Sequence, residues 1–506
     1  MTFFEARRLQ ASKKALSPSI PSESGRFSLF TVTLPETLGK VFKLGIGAIE
    51  KITAGQFIEG RVEVVGFHDV HELVALLSKV ETSQAISTSL PRNDLLSARI
   101  VTKSSIAKVP TALTRTKEDF LFPPGQRGII ALDYDPPNDE AALSQKQLWE
   151  LLCKICPAVA TAGVAWWCSG SSCIYHNDEE VYGVRGQRLY IMIDDIGDTA
   201  RFGKVLDKRF WESGHGRIVV SGSGQKLMRS VFDIAMFQPA RLDFVGGAVC
   251  SPPLTQRRGT PKVLADGSWL DTRLALPDLT SNEEVRVQSL QDIAKTAAEP
   301  KCIEARDKWK ADRISTQVER LVKSGVPRKH APAQAERTLA SALDGVLLGN
   351  FILKLADGRQ PTVSQVLQDP KTWHDALTLD PLEPDYHNSK VVGKLYLYGT
   401  TPNLYSYAHG GRTYRLCRQP ARVPVYRGHK AELVDKLKEL LKDEPDIFVH
   451  CGQLVQIIDC RIRPLSPHGL VYLIGHRYVL YSKNKDGGEC AADLPIDVAS
   501  MLLSQT

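Results

Sequence analysis

Hydrophobic residues recur along the first half of the chain with two different spacings. Runs such as FSLFTVTL and RLYIMI have the dense apolar content of buried strands. In SQKQLWELLCKI and TARFGKVLDKRFWES the apolar residues return every three or four positions, which is typical of helices, and Asp198 is predicted to cap the second of these. The pattern therefore predicts an α/β or α+β domain over residues 25–255.

The rest of the chain divides into four segments by composition. Residues 1–24 are polar and rich in serine, which predicts a mobile arm. Residues 256–335 are predicted to start as a linker and to continue as highly charged helices. A strand-rich region over 336–429 and a small α/β domain over 430–506 complete the chain. A length of 506 residues fits this division into several domains.

Composition limits the class of protein. Hydrophobic residues make up 43% and charged residues 24% of the chain, which is the balance of a folded globular protein. No apolar run approaches the about 20 residues that span a bilayer, and the N-terminal segment lacks a secretory signal. A cytoplasmic protein without membrane contact is therefore expected. The net charge of +7 is compatible with a polyanionic partner.

The ten cysteines are expected to be reduced thiols, because the chain is long and has no signal for secretion. Cys153, Cys156, Cys168 and Cys173 have a spacing that a four-thiolate zinc site could also use. Cys153 and Cys156, however, lie three positions apart on a helical pattern, where core packing is commoner than metal ligation. Zinc is therefore not expected.

Two aspartates follow a strongly apolar run in GIIALDYDPP. Side chains alternate along a strand, so Asp133 and Asp135 are predicted to share a face at the rim of a buried sheet, where they suit a divalent metal. Asp233 is the best third carboxylate, because it is predicted to lie mid-strand, where a charge needs a metal or a partner. The alternative is that Asp233 caps a turn or pairs with Arg229 or Arg241.

Small hydroxyl residues, glycines and cations accompany these aspartates. Hydroxyl and backbone N–H groups donate to phosphate oxygens, and arginine binds phosphate in a two-pronged manner. Serine–glycine runs are also common in plain turns, which is the alternative. The residues predicted to bind a nucleoside triphosphate are Ser169, Ser171, Ser172, Arg185, Arg188, Ser223, Lys226 and Arg229.

In order and type these elements resemble the archaeo-eukaryotic primase, or prim-pol, superfamily. The resemblance covers roughly residues 25–255 and rests on LDYD at 132–135, RGQR at 185–188 and FDIAMFQPARLDF at 232–244. The family usually carries a histidine where this chain has Arg188. Arginine can hold a phosphate but cannot donate a transferable proton, so the role of this element carries over only as nucleotide binding.

The resemblance implies an α+β fold, with a prim-pol (RRM-like) catalytic core of mixed sheets and flanking helices. It also implies that Asp133, Asp135 and Asp233 are catalytic and hold two Mg²⁺ or Mn²⁺ ions. It further implies a DNA primase or polymerase of a phage or mobile element. Such an enzyme makes or extends primers on a single-stranded DNA template from nucleoside triphosphates. The chain is similar to the N-terminal part of primase–helicases but has no phosphate-loop motif, so a helicase is expected as a missing segment or a separate subunit.

Residues 386–431 contain eight lysines and arginines, seven of the fourteen tyrosines and no acidic residue. Basic and aromatic side chains together suit single-stranded DNA, through backbone attraction and base stacking. The alternative is a half-buried sheet whose tyrosines pack in its core. The residues predicted to bind DNA are Tyr405, Tyr407, Arg412, Tyr414, Arg415 and Arg418.

Two other functions remain open. Arg188 in place of histidine is compatible with a catalytically inactive prim-pol-like module that binds DNA at replication initiation and docks a helicase. An Asp-x-Asp after a strand also occurs in Mn²⁺-dependent glycosyltransferases, although that function explains neither Asp233 nor the basic, tyrosine-rich segment.

Overall fold

Two units make up the chain. The computed structural model describes residues 23–505, except 55–56, 104, 137–140, 324–325, 399–400, 418–421, 427, 443, 445, 459–460 and 484–488. The first unit contains residues 23–221 and 225–302, and the second contains 222–224 and 303–505. Among the described residues, no helix has the length and apolar content that crossing a membrane requires.

Strands and helices are interleaved through the first unit, which is of the α+β class as predicted. Its strands are β1 (Gly25–Leu34), β2 (Gly39–Leu44), β3 (Ile49–Ala54), β4 (Glu59–Phe67), β5 (Gln84–Ser87), β6 (Leu90–Pro91), β7 (Ser97–Ile100), β8 (Phe120–Leu121), β9 (Gly128–Tyr134), β10 (Val164–Cys168), β11 (Ile174–His176), β12 (Glu179–Tyr182), β13 (Gln187–Ile193), β14 (Arg217–Val220), β15 (Lys226–Arg229), β16 (Ala248–Cys250), β17 (Leu254–Gln256) and β18 (Lys262–Ala265).

The helices of the first unit are α1 (Val70–Ser78), α2 (Gln145–Ile155), α3 (Thr199–Glu212) and α4 (Thr272–Ala275), and α5 (Ser281–Lys323) contains residues of both units. Short 3₁₀ helices cover Arg92–Asp94, Ile106–Lys108, Pro157–Thr161, Ile196–Asp198 and Ile234–Phe237. The helices predicted over α2 and α3 are confirmed. Ser144 caps α2, because its hydroxyl accepts a hydrogen bond from the Gln147 N–H at 3.2 Å.

The largest sheet of the first unit has the strand order β18-β10-β13-β9-β1-β4-β7, and β5 also pairs with β1. β1 and β9 are parallel, whereas the other paired strands of this sheet are antiparallel. β9 lies in the middle, and all seven of its residues are buried, which accounts for its nearly continuous apolar run. The core formed here includes Ile129, Leu132, Leu189, Ile191, Leu148, Leu152, Phe202 and Leu206.

The described residues of the second unit form three small sheets. Its strands are β19 (Val346–Leu347), β20 (Leu377–Thr378), β21 (Gly393–Tyr396), β22 (Asn403–Ser406), β23 (Arg412–Leu416), β24 (Arg422–Pro424), β25 (Ile447–His450), β26 (Gln453–Ile458), β27 (Arg461–Pro464), β28 (Val479–Lys483) and β29 (Glu489–Ala491). The sheet orders are β19-β23-β22-β21-β20, β24-β28-β29 and β25-β26-β27. Its helices are α6 (Ala331–Leu343), α7 (Val363–Gln368), α8 (Pro370–Trp373), α9 (Tyr386–Ser389), α10 (Lys430–Lys442), α11 (Pro467–Arg477) and α12 (Ile496–Ser504), with a 3₁₀ helix at Ala408–Gly410.

Three local predictions differ from the structure. The predicted linker after residue 255 contributes β18, which pairs with β10 as an edge strand of the main sheet, so its glycines and prolines mark turns between strands. Residues 229–237 are predicted to be a strand, but β15 ends at Arg229 and the residues that follow form a bend and a 3₁₀ helix, with Asp233 at the N-cap. Asp198 precedes α3 without capping it, because its carboxylate accepts hydrogen bonds from Arg201 and Thr272 at 2.6 Å.

Gly203 of α3 provides a test of how the Asp233 turn is held. A Cβ atom at Gly203 would lie between 2.2 and 2.7 Å from three ring atoms of Phe237, which ends that turn. Gly203→Ala should therefore lower the free energy of unfolding by about 1–3 kcal/mol through overpacking, although alanine favours a helix. The measurement is urea unfolding of the full chain followed by tryptophan fluorescence. Lys204 is exposed on the same helix, so Lys204→Ala should change the free energy of unfolding by less than about 0.5 kcal/mol. A Gly203→Ala variant as stable as the unchanged protein would contradict the packing of Gly203 against Phe237.

Candidate active site

A buried network of ion pairs lies at the end of β9. Asp133 and Arg188 are cross-strand partners in β9 and β13, and their side chains form an ion pair. Arg188 Nε also donates to Asp243 Oδ1 at 3.1 Å, and the Tyr190 hydroxyl donates to Asp243 Oδ2 at 2.8 Å. Arg188 and Tyr190 point the same way because they are two positions apart on one strand. One guanidinium group therefore bridges two buried carboxylates.

Asp243 is a site residue that the sequence analysis does not predict. Its side chain is buried, and its backbone pairs with Ile86 of β5 through two N–H···O hydrogen bonds of 2.8 and 3.0 Å. That pairing fixes the Asp243 carboxylate against Arg188. Its neighbours Leu242 and Phe244 are apolar, so the pattern of an aspartate between hydrophobic residues, which singled out Asp233, could also have found Asp243.

Asp233 lies close to Asp133 but not in the predicted manner. Its backbone N–H donates to the Asp133 carbonyl oxygen at 2.9 Å, while its side chain caps the 3₁₀ helix by accepting from the Ala235 N–H at 3.0 Å. The side chain is exposed, and Arg241 Nη2 lies 3.6 Å from its Oδ2 atom. The mid-strand prediction is therefore wrong, and the alternative of a turn cap paired with Arg241 is confirmed.

Asp135 meets the serine loop, which we define as residues 169–172 between β10 and β11. Asp135 itself lies just beyond β9 and is exposed. A Cβ atom on Gly186 would lie 2.6 Å from Asp135 Oδ1 and 2.7 Å from Ser169 Oγ. The Asp135 carboxylate and the Ser169 hydroxyl therefore flank the same bare stretch of backbone.

Hydrogen bonds order the serine loop. The Ser169 hydroxyl lies 3.1 Å from that of Ser171 and 3.3 Å from that of Ser172. The Ser172 hydroxyl donates to the Gly186 carbonyl oxygen at 3.2 Å and accepts from the Arg185 N–H at 3.0 Å. The loop is thereby tied to the start of β13, so Ser169, Ser171, Ser172, Arg185 and Arg188 are brought to the aspartates as predicted.

The other three residues predicted to bind a triphosphate have different partners. The Lys226 ammonium pairs with Glu299 of α5, and Arg229 Nη1 donates to the Met228 carbonyl oxygen at 3.0 Å. Ser223 donates its backbone N–H to Glu383 Oε1 at 2.9 Å within the second unit. None of these partners in the described part of the chain is one of the site aspartates. The residues around the β14–β15 hairpin therefore have the side-chain types of a phosphate site, but these contacts connect them to other parts of the fold.

The charge around Asp133 is unbalanced. Burial raises the pKa of the Asp133 carboxyl, the Arg188 guanidinium opposes this shift, and the Asp135, Asp243 and Asp233 carboxylates add to it. Burial alone would lower the pKa of Arg188, but Asp133 and Asp243 raise it above its ordinary value. Four carboxylates therefore act on one another at this end of the sheet, which is a setting that attracts cations.

The donor set fits Mg²⁺ or Mn²⁺ in chemistry, because hard divalent ions prefer carboxylate oxygens. In the part of the chain that the structure describes, no three His, Cys, Asp or Glu side chains are already arranged as metal ligands. One oxygen of Asp133 and one of Asp243 face the Arg188 guanidinium. A metal ion held by both would require Arg188 to turn away.

The cysteines have local partners. Cys168 Sγ lies 3.9 Å from Cys173 Sγ, on either side of the serine loop. Cys156 Sγ lies 3.6 Å from the Ala275 carbonyl oxygen, and its side chain belongs to the core of the first unit. Burial raises the pKa of the Cys156 and Cys168 thiols, to about 11 and about 12. These thiols are therefore protonated at neutral pH unless a metal displaces the proton.

Several of the predicted DNA-binding residues have structural roles in the second unit. Tyr414 is fully buried, so it cannot stack on a base, and Arg412 lies over its ring at 5.0 Å while donating to the Leu343 carbonyl oxygen at 2.7 Å. Arg415 Nε donates to Cys417 Sγ at 3.0 Å. For Tyr414 the alternative of a packed sheet is therefore correct.

Tyr405 and Tyr407 remain at the surface of β22 and its following turn. Their ring centroids are 4.8 Å apart in an edge-to-face arrangement, and Tyr407 is 62% exposed. Arg418 lies outside the described residues. The exposed aromatic surface of this segment also includes Tyr398 and Tyr426.

Removing the bridging cation tests the network. Arg188→Met should lower the free energy of unfolding by about 3–5 kcal/mol, because two buried carboxylates lose their counter-ion. The loss should shrink as the pH falls: without Arg188 the pKa of Asp133 rises further, and protonation then removes the unpaired charge. Thermal unfolding at pH 5 and pH 8, with and without MnCl₂, measures both effects.

Arg185→Met is the matched control for Arg188→Met, because Arg185 is exposed and stacks on Tyr182 rather than on a carboxylate. The thermal unfolding midpoint of the Arg185→Met variant should stay near that of the unchanged protein. Recovery of the Arg188→Met variant by Mn²⁺ would show that the carboxylates hold a metal once the guanidinium is gone. A variant as stable as the parent at pH 8 would contradict the bridging role.

No protein-family model, no curated protein and no solved structure matches this chain.

Proposed function

We propose that the first unit is a DNA primase or polymerase that transfers nucleotides with the help of two divalent metal ions. The observation that carries this proposal is the meeting of Asp133, Asp135 and Asp243 with the serine loop and Arg188 at one end of the main sheet. Acidic and phosphate-binding groups side by side are what the transfer of a nucleotide from a triphosphate needs. The prim-pol resemblance supports the same reaction.

Asp133, Asp135 and Asp243 would hold Mg²⁺ or Mn²⁺, and Asp233 stands next to them through its hydrogen bond to the Asp133 backbone. Bound metal ions of this kind activate a 3′-hydroxyl and stabilise the leaving phosphate oxygens. The serine-loop hydroxyls and the Arg185 side chain bind and orient the triphosphate. Arg188 would leave the carboxylates and bind a phosphate oxygen when they hold metal ions, because arginine binds phosphate as readily as carboxylate.

Single-stranded DNA is the proposed template, and a helicase is the proposed partner in replication of a phage or mobile element. The exposed tyrosines of the second unit and the basic residues of 386–431 support DNA contact. A cytoplasmic location stays a prediction.

The second candidate function is a replication-initiation module that binds DNA and docks a helicase without synthesis. One observation favours it: the Arg188 guanidinium already pairs with both Asp133 and Asp243, at the place where a metal ion would otherwise lie. The two functions differ in whether Arg188 can leave the carboxylates. They therefore differ in whether nucleotides are incorporated.

Nucleotide incorporation on a primed single-stranded template, with Mn²⁺ or Mg²⁺ and labelled nucleotides, tests the proposal. Asp133→Ala/Asp135→Ala should reduce incorporation at least about a hundredfold, since the metal ligands are lost. Asp292→Ala, an exposed aspartate on α5, should leave it unchanged. Synthesis that survives the double change would mean that the site is misassigned. DNA binding without incorporation by the unchanged protein would instead favour the initiation module.

Tyr407 tests the proposed template contact. Tyr407→Ala should weaken binding of a labelled single-stranded oligonucleotide by about 1–3 kcal/mol, because a stacking surface for one base is lost. Fluorescence anisotropy at fixed salt gives the affinity. Tyr472→Ala, which removes an equally exposed tyrosine from α11, should leave the affinity unchanged. Equal effects of the two changes would rule out a specific role for Tyr407.

A further inference from the structure

A cluster of three cations faces the aspartates from the β2–β3 hairpin and the start of β13. Lys40 lies opposite Thr53 in this hairpin and Lys51 lies opposite Phe42, so Lys40 and Lys51 are diagonal neighbours on one face. Phe42 on the same face packs on Tyr182 with ring centroids 6.1 Å apart, and Arg185 lies 5.2 Å over the Tyr182 ring. We call Lys40, Lys51 and Arg185 the cationic wall.

Close backbone packing fixes the hairpin against the serine loop. A Cβ atom on Gly39 would lie 3.3 Å from the Gly247 carbonyl oxygen, and one on Gly170 would lie 3.4 Å from the same atom. Gln256 Nε2 also donates to the carbonyl oxygens of Gly170 and Ser172 at 3.1 and 3.0 Å. The strand that carries Lys40 is therefore held next to the loop that flanks Asp135.

Lys40 and Lys51 lie among charges of both signs. Burial lowers the pKa of Lys40 to about 8, Lys51 and Arg188 lower it too, and Asp135 and Asp133 raise it. Burial and the Arg185 guanidinium likewise lower the pKa of Lys51, which Asp135 raises. A triphosphate with bound metal ions would pair its phosphates with these cations and its metal ions with the neighbouring carboxylates.

We propose that Lys40 and Lys51, together with Arg185, bind the triphosphate of the nucleotide that is transferred. The inference rests on the proposed function, and it adds the β2–β3 hairpin, which the sequence patterns do not indicate, to the site. Three cations in one compact group beside Asp135 match several linked phosphates better than a DNA backbone, which presents one charge per nucleotide along its length. Phosphate groups of the template are the other source of the same chemistry.

Binding without turnover separates the two sources. Fluorescence anisotropy is measured for a labelled nucleoside triphosphate, the corresponding monophosphate and a single-stranded oligonucleotide, with inorganic tripolyphosphate as competitor. Lys40→Gln/Lys51→Gln should weaken triphosphate binding at least about tenfold, since two charge-assisted contacts are lost, and should change the other two affinities by less than about twofold. Tripolyphosphate should compete with the triphosphate on the unchanged protein and much less on the variant.

Lys43→Gln is the matched control, because Lys43 is an exposed lysine of β2 on the opposite face from Lys40. It should leave all three affinities unchanged. Lys40→Arg/Lys51→Arg keeps the charge and should retain triphosphate binding, which guards against a folding defect in the glutamine variant. An unchanged triphosphate affinity in Lys40→Gln/Lys51→Gln would overturn the inference. A fall in oligonucleotide affinity alone would also overturn it and would identify the template backbone as the ligand.

The outcome is distinguishable from that of the proposed function. If triphosphate binding depends on Lys40 and Lys51 while the unchanged protein incorporates no nucleotide, the wall is supported and the polymerase proposal fails. If incorporation depends on Asp133 and Asp135 while the lysine changes leave triphosphate binding intact, the polymerase proposal is supported and the role of the cationic wall is ruled out.

Discussion

The ion pair between Arg188 and the carboxylates of Asp133 and Asp243 is the interaction on which the site depends. Two carboxyl groups buried side by side need either a cation or a proton, because burial of an unpaired charge costs several kcal/mol. Arg188 comes from β13 and Asp133 from β9, while Asp243 comes from a segment paired with β5. The guanidinium group therefore ties together three distant stretches of sequence. The positions of Tyr190 and of the turn at Asp233 follow from the same meeting point.

The same interaction provides the buried carboxylates of Asp133 and Asp243 with a counter-ion from the protein itself. Under the proposed function, a metal ion would have to compete with a guanidinium that already contacts both carboxylates. A triphosphate would favour metal entry by offering Arg188 a new partner. The proposed function therefore implies that metal binding and phosphate binding are coupled through Arg188.

The spacing of apolar residues along the chain predicted several strands and helices. The features that it missed depend on pairing between residues that are distant in the sequence. The β9 strand, α2 and α3 were readable because their apolar residues follow the period of a strand or a helix. Asp133 and Asp135 were found for the same reason. Asp233 and Asp243 carry nearly the same local signal, and only the pairing of Asp243 with Ile86 separates them. Lys40 gave no signal, since its place beside Asp135 depends on the packing of Gly39 and Gly170 around residue 247.

Charge balance explains why the acids and the cationic wall belong to one site. A triphosphate alone would be repelled by the carboxylates of Asp133, Asp135 and Asp243, and a metal ion alone would be repelled by Lys40 and Lys51. A metal–triphosphate complex gives both the carboxylates and the lysines a partner of opposite charge. The two ligands should therefore bind with positive coupling, and by linkage each strengthens the other by the same factor. A site that only held a structural cation would not be stabilised by Lys40 and Lys51, because these lysines repel a cation.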